Sequence, residues 1–313
     1  MISVVIPLYD EEAIVPELVR RVDAVLRTVD DAYEIVLVND GSRDGTAAAV
    51  RALFATYPAL VLVELSRNFG HQIAATAGLD RARGDAVVLM DGDLQDPPEL
   101  IPELLAQWHD GFDVVYAVRR TRRGESRFKV WTAALFYRLT TRLTNVSIPV
   151  DVGDFRLMSR RVVAALSGMR ERHRFLRGLV SWVGFRQTGV SYDRDVRFAG
   201  SSKYPLRRML RFALDGITAF SEVPLRVATY LGFLIAAFAF CYGLVVLVLN
   251  GLGYNLPGYT STMLAILLLG GVQLVTIGIL GEYVGRIYDE IKARPLYLIA
   301  RVDRASAEVP GDV

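Results

Sequence analysis

The amino-acid sequence predicts an α/β domain on a mainly parallel sheet, continued on its C-terminal side by two membrane-crossing helices. Two patterns carry this reading. From the N-terminus to about residue 120, short apolar runs rich in Val and Ile alternate with amphipathic segments, the rhythm of repeated strand–helix units. Further on, residues 227–281 contain no Asp, Glu, Lys, Arg or His, although charged residues make up 22% of the chain. A third observation locates the chemistry: acidic clusters holding Gly or Pro directly follow three of the strands.

Taken in order, the first strand (3–6) runs into Pro7-Leu-Tyr-Asp-Glu-Glu and a helix over 13–29. The second (34–38) runs into Asn39-Asp-Gly-Ser-Arg-Asp-Gly-Thr and a helix over 45–56. A third strand (61–65) precedes a helix over 72–82, and a fourth (86–90) runs into Asp91-Gly-Asp-Leu-Gln-Asp-Pro-Pro and a helix over 99–107. A fifth strand covers 113–117. In open α/β sheets ligands bind beyond the carboxyl ends of the strands, so the three acidic loops meet at one edge.

A helix rises about 1.5 Å per residue and the hydrocarbon core is roughly 30 Å thick, so about 20 apolar residues cross it. Residues 227–249 and 262–281 supply two such lengths, the second extending toward Tyr283. The segment between them is rich in Gly, Asn and Tyr, as expected for a turn at an interface. Arg207, Arg208, Arg211 and Arg226 precede the first span and Arg286, Lys292 and Arg294 follow the second, which predicts a cytoplasmic location for both termini. The expected divisions are a domain over 1–200, a juxtamembrane segment over 201–224, a membrane hairpin over 225–288 and a tail over 289–313.

Composition narrows the function. A net charge of +2 is too small to argue for a nucleic-acid partner. The single cysteine, Cys241, excludes an intrachain disulfide and fits a reducing compartment. No secretory signal is expected at Met1-Ile-Ser-Val-Val-Ile-Pro, which lacks a basic start. A dinucleotide-binding domain would place a Gly-rich turn after the first strand. Here that turn carries acids, which repel bare phosphate, so a phosphorylated ligand needs a bridging metal. Asp91 and Asp93 flank Gly92, and a tight bend there can turn both carboxylates toward one Mg²⁺ or Mn²⁺, ions that take oxygen ligands together with substrate phosphates. His71, His109 and His173 do not have metal-ligand spacing; His71 lies in a motif near the expected site, and the other two read as surface residues.

The ordered motifs Pro7-Leu-Tyr-Asp-Glu-Glu, Val38-Asn-Asp-Gly-Ser-Arg-Asp-Gly-Thr, Ser66-Arg-Asn-Phe-Gly-His and Asp91-Gly-Asp-Leu-Gln-Asp-Pro-Pro together resemble the inverting glycosyltransferases of family 2, which have a GT-A fold. Gly153-Asp-Phe-Arg, Arg174-Phe-Leu-Arg-Gly, Gly200-Ser-Ser-Lys-Tyr and Leu280-Gly-Glu-Tyr-Val-Gly-Arg-Ile-Tyr resemble its polyprenyl-phosphate branch, from dolichol-phosphate mannose synthases to bacterial undecaprenyl-phosphate glucosyltransferases. The resemblance implies a nucleotide-sugar donor, UDP-glucose first and GDP-mannose as the alternative, with a polyprenyl phosphate acceptor and a homo-oligomer as large as a tetramer. It assigns Pro7, Tyr9, Glu11, Val38 and Asp40 to the nucleoside, and Asp91, Asp93 and Gln95 to the metal. Gly92, Arg119 and Lys203 join the donor site, and Asp93 joins Asp154 as catalytic. A processive polysaccharide synthase is the competing enzyme class, but its Gln-x-x-Arg-Trp motif does not occur. A catalytically silent membrane scaffold is the competing non-enzyme, against which the intact acidic motifs speak.

Asp154 matches the family's proposed catalytic base, and two other roles fit the residue. A phosphate monoester has a second pKa near 6 and is mostly ionised at neutral pH, so Asp154 can instead position the acceptor or hold an Arg. As a purely structural residue it would cap a helix beginning at Phe155. The acceptor phosphate needs cations, for which Arg127, Lys129, Arg197, Arg174 and Arg177 are candidates. Arg170, Arg172, Arg174 and Arg177 read either as a phosphate patch or as a basic surface. Residues 127–144 and 204–220 have helical apolar stripes flanked by Arg and Lys, which fit interfacial helices or core-facing ones. Glu282 is expected to pair with Arg286 or with a neighbouring subunit.

Overall fold

A computed structural model describes residues 1–29, 32–119, 152–172, 174–192, 223–253 and 258–305. The sheet has eight strands: β1 (Ile2–Leu8), β2 (Tyr33–Asn39), β3 (Leu60–Leu65), β4 (Ala86–Leu89), β5 (Val114–Arg119), β6 (Val152–Ser159), β7 (Gln187–Tyr192) and β8 (Ile299–Arg304), in the spatial order β7-β5-β6-β4-β1-β2-β3-β8. The neighbouring pairs β4–β1, β1–β2 and β2–β3 are parallel, as is β5–β7, whereas β6 runs antiparallel to both β4 and β5. The central strands are continuous apolar runs because both faces of the sheet are covered. Val4, Ile6 and Leu8 pack on one face with α1 (Val15–Val29), α2 (Thr46–Ala52) and α4 (Ile101–His109). Val5, Val36 and Val38 pack on the other with α3 (His71–Arg81), α5 (Arg160–Gly168) and α6 (Leu176–Trp182).

The small residues of α3 let it lie against the sheet. A Cβ on Gly78 would stand 2.3 Å from Val5 Cγ1 and 2.9 Å from Val38 Cγ2. This close approach puts the helix's first residues, His71 and Gln72, at the carboxyl edge of the sheet, beside the acidic loops.

Three strands depart from the sequence reading, which places none at β6, at β7 or at β8. Asp154 lies inside β6 with its side chain buried, so it is not a helix cap; Phe155, Leu157 and the residues around them form a strand buried on both faces. Residues 299–304, which the sequence reading leaves in the tail, return as β8 and pair antiparallel with β3. The stripes over 127–144 and 204–220, and residues Arg127, Lys129, His173, Arg197 and Lys203, lie outside the described residues.

Helices α7 (Val223–Gly251) and α8 (Tyr259–Ile291) contain apolar lengths over Leu225–Leu249 and Leu268–Ile291, long enough to cross a membrane and not buried within the chain. At about 1.5 Å per residue α8 is longer than a hydrocarbon core is thick, and its C-terminal part carries Glu282, Arg286, Asp289 and Glu290. There Arg286 Nε donates to Glu282 Oε1 at 3.0 Å, the i,i+4 pair expected from the sequence. The same end is tied to the sheet domain. Arg172 N donates to Glu290 Oε1 at 2.7 Å, Tyr297 Oη to Asp80 Oδ2 at 2.7 Å, and Ser66 N to the Leu298 carbonyl at 2.9 Å.

Candidate active site

The loops after β1 and β2 are laced to one another by side chains bonding to backbone. Ser42 Oγ accepts from Asp10 N, and Asp10 Oδ1 accepts from Arg43 N at 2.7 Å. Thr46 Oγ1 accepts from Glu11 N, and Glu12 Oε2 accepts from Gly45 N. Asp10 adopts φ 55°, a left-handed conformation that Asp tolerates better than most residues. Asp40 extends the lacing to the loop after β3: its two oxygens accept from Phe69 N at 2.7 Å and Gly70 N at 2.9 Å. Burial pushes the Asp40 carboxyl up, and these two amides oppose the shift. Asp40 thus holds the loop that starts α3, leaving only its remaining lone pairs for a ligand. Val38 is a core side chain, so its contribution to a ligand is limited to backbone, while Tyr9 is exposed at the edge.

Beyond β4, the chain bends at Gly92, where a Cβ would lie 2.7 Å from Leu8 Cδ2. Asp93 Oδ1 accepts from Gln95 N at 3.2 Å, and the intervening Leu94 is held at φ 57°, a costly conformation for a bulky side chain and one that concentrates at functional loops. Asp91 Oδ1 is buried and makes no hydrogen bond among the described residues; His71 Nε2 faces it at 3.3 Å. Burial, and after it the charge of Asp154, push the Asp91 carboxyl up to about 6.

Asp154 sits next to it in a nest of donors. Arg177 Nε donates to Oδ1 at 2.8 Å and Arg177 Nη2 to Oδ2 at 3.3 Å. Gln72 Nε2 donates to Oδ2 at 3.3 Å, while Gln72 Oε1 accepts from Leu176 N at 3.0 Å, joining α3, β6 and α6 at this point. Arg156, two residues along the same strand and therefore on the same side, is buried with Nη2 3.7 Å from Oδ1. Burial alone would raise the Asp154 pKa, but Arg177, His71 and Arg156 hold it well below the ordinary carboxylate range. The cost of desolvation falls instead on Arg156, whose pKa drops to about 10. For His71, burial is outweighed by Asp154 and Asp91, and its pKa rises.

Arg119 is positioned from three sides. Its guanidinium lies over Gly153, where a Cβ would come within 2.7 Å of Nη2. Its Nε donates to Tyr192 Oη at 3.3 Å, and Nη2 is 3.9 Å from the buried Asp96, to which Tyr192 Oη also donates.

The structure separates the basic candidates. Arg177 is at the site, but Arg174 is not available to a phosphate: its guanidinium donates to the carbonyls of Leu166, at 3.0 Å, and Met169, closing the C-terminal end of α5. Arg170 pairs with Asp80 at 2.6 Å. Gln72, Arg156, Tyr192 and Asp96 are site residues that the sequence reading passed over. The Asp-x-Arg spacing of Asp154 and Arg156 was the available signal, once residues 152–159 are taken as a strand.

His71, Asp91 and Asp154 each present a ligand atom within 4.8 Å of the others. A buried carboxylate oxygen without a donor, facing an imidazole nitrogen, has the chemistry of a cation site, and the neighbouring Asp93 adds charge of the same sign. The residues present therefore fit a divalent cation.

Residues 3–166 match the Glycosyl transferase family 2 model and residues 223–287 the GtrB C-terminal hairpin. The chain is 48% identical over 300 residues to the uncharacterized glycosyltransferase YkcC of Bacillus subtilis, covering 96% of this chain and 93% of the relative. It is 44% identical over 307 residues to the SfII prophage-derived bactoprenol glucosyl transferase of Shigella flexneri, covering 97% and 99%. A looser likeness, with a TM-score of 0.48 and 21% identity over 70% of this chain and 77% of the other, is to glucosyl-3-phosphoglycerate synthase of Mycobacterium tuberculosis. With a family match over more than half its length and relatives of this identity along nearly all of it, the chain belongs to glycosyl transferase family 2.

Proposed function

We propose that the protein transfers glucose from UDP-glucose to the phosphate of an undecaprenyl-type polyprenyl lipid, with inversion, at the cytoplasmic face of the membrane. The observation that carries this reading is the state of Asp154: buried, gripped by Arg177 and Arg156, and held ionised beside the acidic loop. A carboxylate with so low a pKa is a weak proton acceptor, which suits an acceptor that arrives already ionised and needs orientation instead. The names of full-length relatives, bactoprenol glucosyl transferases among them, support both the sugar and the lipid. The Arg and Lys residues flanking the apolar helices support the cytoplasmic side.

In this reading an oxygen of the lipid phosphate attacks the anomeric carbon. The bond from that carbon to the β-phosphate oxygen breaks, and its electron pair leaves with the UDP. Arg177, anchored on Asp154, and Arg119, anchored on Tyr192, supply fixed positive charge around the two phosphates. The backbone-laced loops after β1 and β2, with Tyr9 and Glu11, form the nucleoside end. Mg²⁺ or Mn²⁺ held by Asp91 and Asp93, with Gln95 alongside, would supply charge stabilisation for the leaving diphosphate. The apolar helices α7 and α8, long enough to cross a membrane, support an acceptor held at a lipid headgroup.

The test is to incubate membranes containing the protein with a panel of radiolabelled nucleotide-sugars, undecaprenyl phosphate and Mg²⁺ or Mn²⁺, and then extract the lipid. Label from UDP-glucose should enter the lipid fraction and depend on the cation. Label confined to polymer, or lipid label from no donor at all, would defeat the proposal.

A further inference from the structure

We propose that His71 is a nitrogen ligand of the divalent cation, bound beside Asp91, and that it biases the site toward first-row transition ions over Mg²⁺. The proposal rests on the metal-dependent reading above and adds a ligand that the acidic motif does not contain.

Three observations point to it. The first is the pairing of atoms. Asp91 Oδ1 is buried with no hydrogen-bond donor among the described residues, and His71 Nε2 faces it at 3.3 Å. Two ligands in adjacent positions on one cation, each roughly 2.1 Å from it, stand about 3 Å apart, so the two atoms are already near coordination spacing.

The second is the state of the remaining carboxylate in the group. Asp154 Oδ2 is also 3.3 Å from His71 Nε2, but both its oxygens are engaged by Arg177 and Gln72. Asp154 is thereby retained in the outer shell, where it orients the groups that touch the cation, and Asp91 and His71 are left as the converging pair.

The third is rigidity. His71 is the first residue of α3, the loop before it is pinned through Phe69 N and Gly70 N to Asp40, and the helix is pressed on the sheet at Gly78. The imidazole is therefore carried by fixed backbone at the edge where the acidic loop ends, as a preorganised ligand must be.

The consequence for ion choice follows from ligand chemistry. Mg²⁺ takes oxygen ligands almost exclusively, whereas an imidazole nitrogen is a good ligand for first-row transition ions. Replacing one oxygen ligand by His71 lowers the site's relative affinity for Mg²⁺ and leaves Mn²⁺ as the stronger of the two.

The experiment uses the full chain in detergent, loaded with UDP and Mn²⁺, and reads the ¹⁴N coupling to the bound manganese by pulsed electron paramagnetic resonance, with Mn²⁺ and Mg²⁺ affinities measured by titration. Wild type should show imidazole ¹⁴N coupling, and so should His109→Gln, which removes an exposed histidine elsewhere. In His71→Gln the coupling should vanish and Mn²⁺ affinity should fall by about tenfold or more, the usual scale for a disturbed metal shell, with Mg²⁺ affinity falling less. Mn²⁺ bound to wild type without ¹⁴N coupling overturns the ligand assignment while leaving the metal reading intact. Failure of wild type to bind Mn²⁺ in the presence of UDP overturns both. The wild-type spectrum decides even if His71→Gln does not fold.

Discussion

The two halves of the site are held together by different physics. On the side of β1, β2 and β3, the loops are joined by short-range bonds from side chains to backbone: Asp10, Glu12, Ser42, Thr46 and Asp40 each bond to a main-chain N–H. On the side of β5, β6 and β7, the side chains are held by ion pairs and buried guanidinium groups: Asp154 with Arg177 and Arg156, and Arg119 with Tyr192 and Asp96. The first kind of construction fixes a shape, which suits the proposed nucleoside pocket. The second fixes a charge pattern, which suits the proposed meeting of two phosphates.

The largest way to break the second half is to remove its central charge. Asp154→Asn leaves Arg156 buried without its counter-ion, a change of the kind that costs about 3–5 kcal/mol. Turnover should fall by about a hundredfold or more, the scale of losing a preorganised charge, while UDP-glucose binding is retained. Equal turnover in wild type and variant, measured at saturating donor, would remove Asp154 from the mechanism.

Glycine substitutions sharpen the contrast between shape and charge. Gly41 has φ 66°, and a Cβ there would meet the Arg67 carbonyl carbon at 2.5 Å and Asn68 N at 2.6 Å, both backbone atoms. Gly41→Ala should therefore cost about 1–3 kcal/mol of stability, visible as a lower Tm. At Gly153 the obstructing atom is Arg119 Nη2, the end of a side chain that can move aside. Gly153→Ala should therefore lower Tm less than Gly41→Ala, because only the end of the Arg119 side chain must shift, and should instead raise KM for the donor. A reversed outcome, with the larger stability loss at Gly153, would mean that β6 and not Arg119 gives way.

A smaller effect separates two arginines only three positions apart. Arg174→Gln removes donors from the end of α5 and should lower stability by about 1–2 kcal/mol with KM for the lipid unchanged. Arg177→Gln should raise KM for the lipid or lower kcat, and it should lower Tm as well, because it takes the principal cation from the buried Asp154 carboxylate. Kinetics that followed Arg174 instead would restore it as a phosphate ligand.

The smallest expected effect is at the far end of the sheet. Asp113 is held below the ordinary carboxylate range, first by Arg161 and also by Ser159, so its contribution is present above the unfolded pKa and lost as pH falls through the folded one. The Tm advantage of wild type over Asp113→Asn should therefore shrink below about pH 4. An advantage that persisted unchanged in acid would show that packing, not charge, explains it.

How much of this was legible depended on distance along the chain. The strands up to β5, and the loops after β1, β2 and β4, were readable because each motif lies within a few residues of the strand that carries it. The two long apolar helices were readable because residues 227–281 carry no charge. β6 was not, because a buried strand containing Asp154 and Arg156 gives no apolar run, and Asp is a favoured helix cap. β8 was hidden for another reason: it pairs with β3, from which the whole C-terminal helical hairpin separates it. Composition could not tell Arg174 from Arg177 either, since only the turn between α5 and α6 decides which guanidinium meets carbonyls and which meets Asp154. His71 was visible as part of a motif, but its place between two carboxylates depends on how closely α3 approaches the sheet.

The most direct test of the account is the anomeric configuration of the product made by the purified full chain from UDP-glucose and undecaprenyl phosphate, read by NMR of the extracted lipid. Direct attack by a lipid phosphate on the α-linked donor predicts a single β-linked glucosyl phosphate. An α-linked product, or glucose released only as the free sugar, would contradict it.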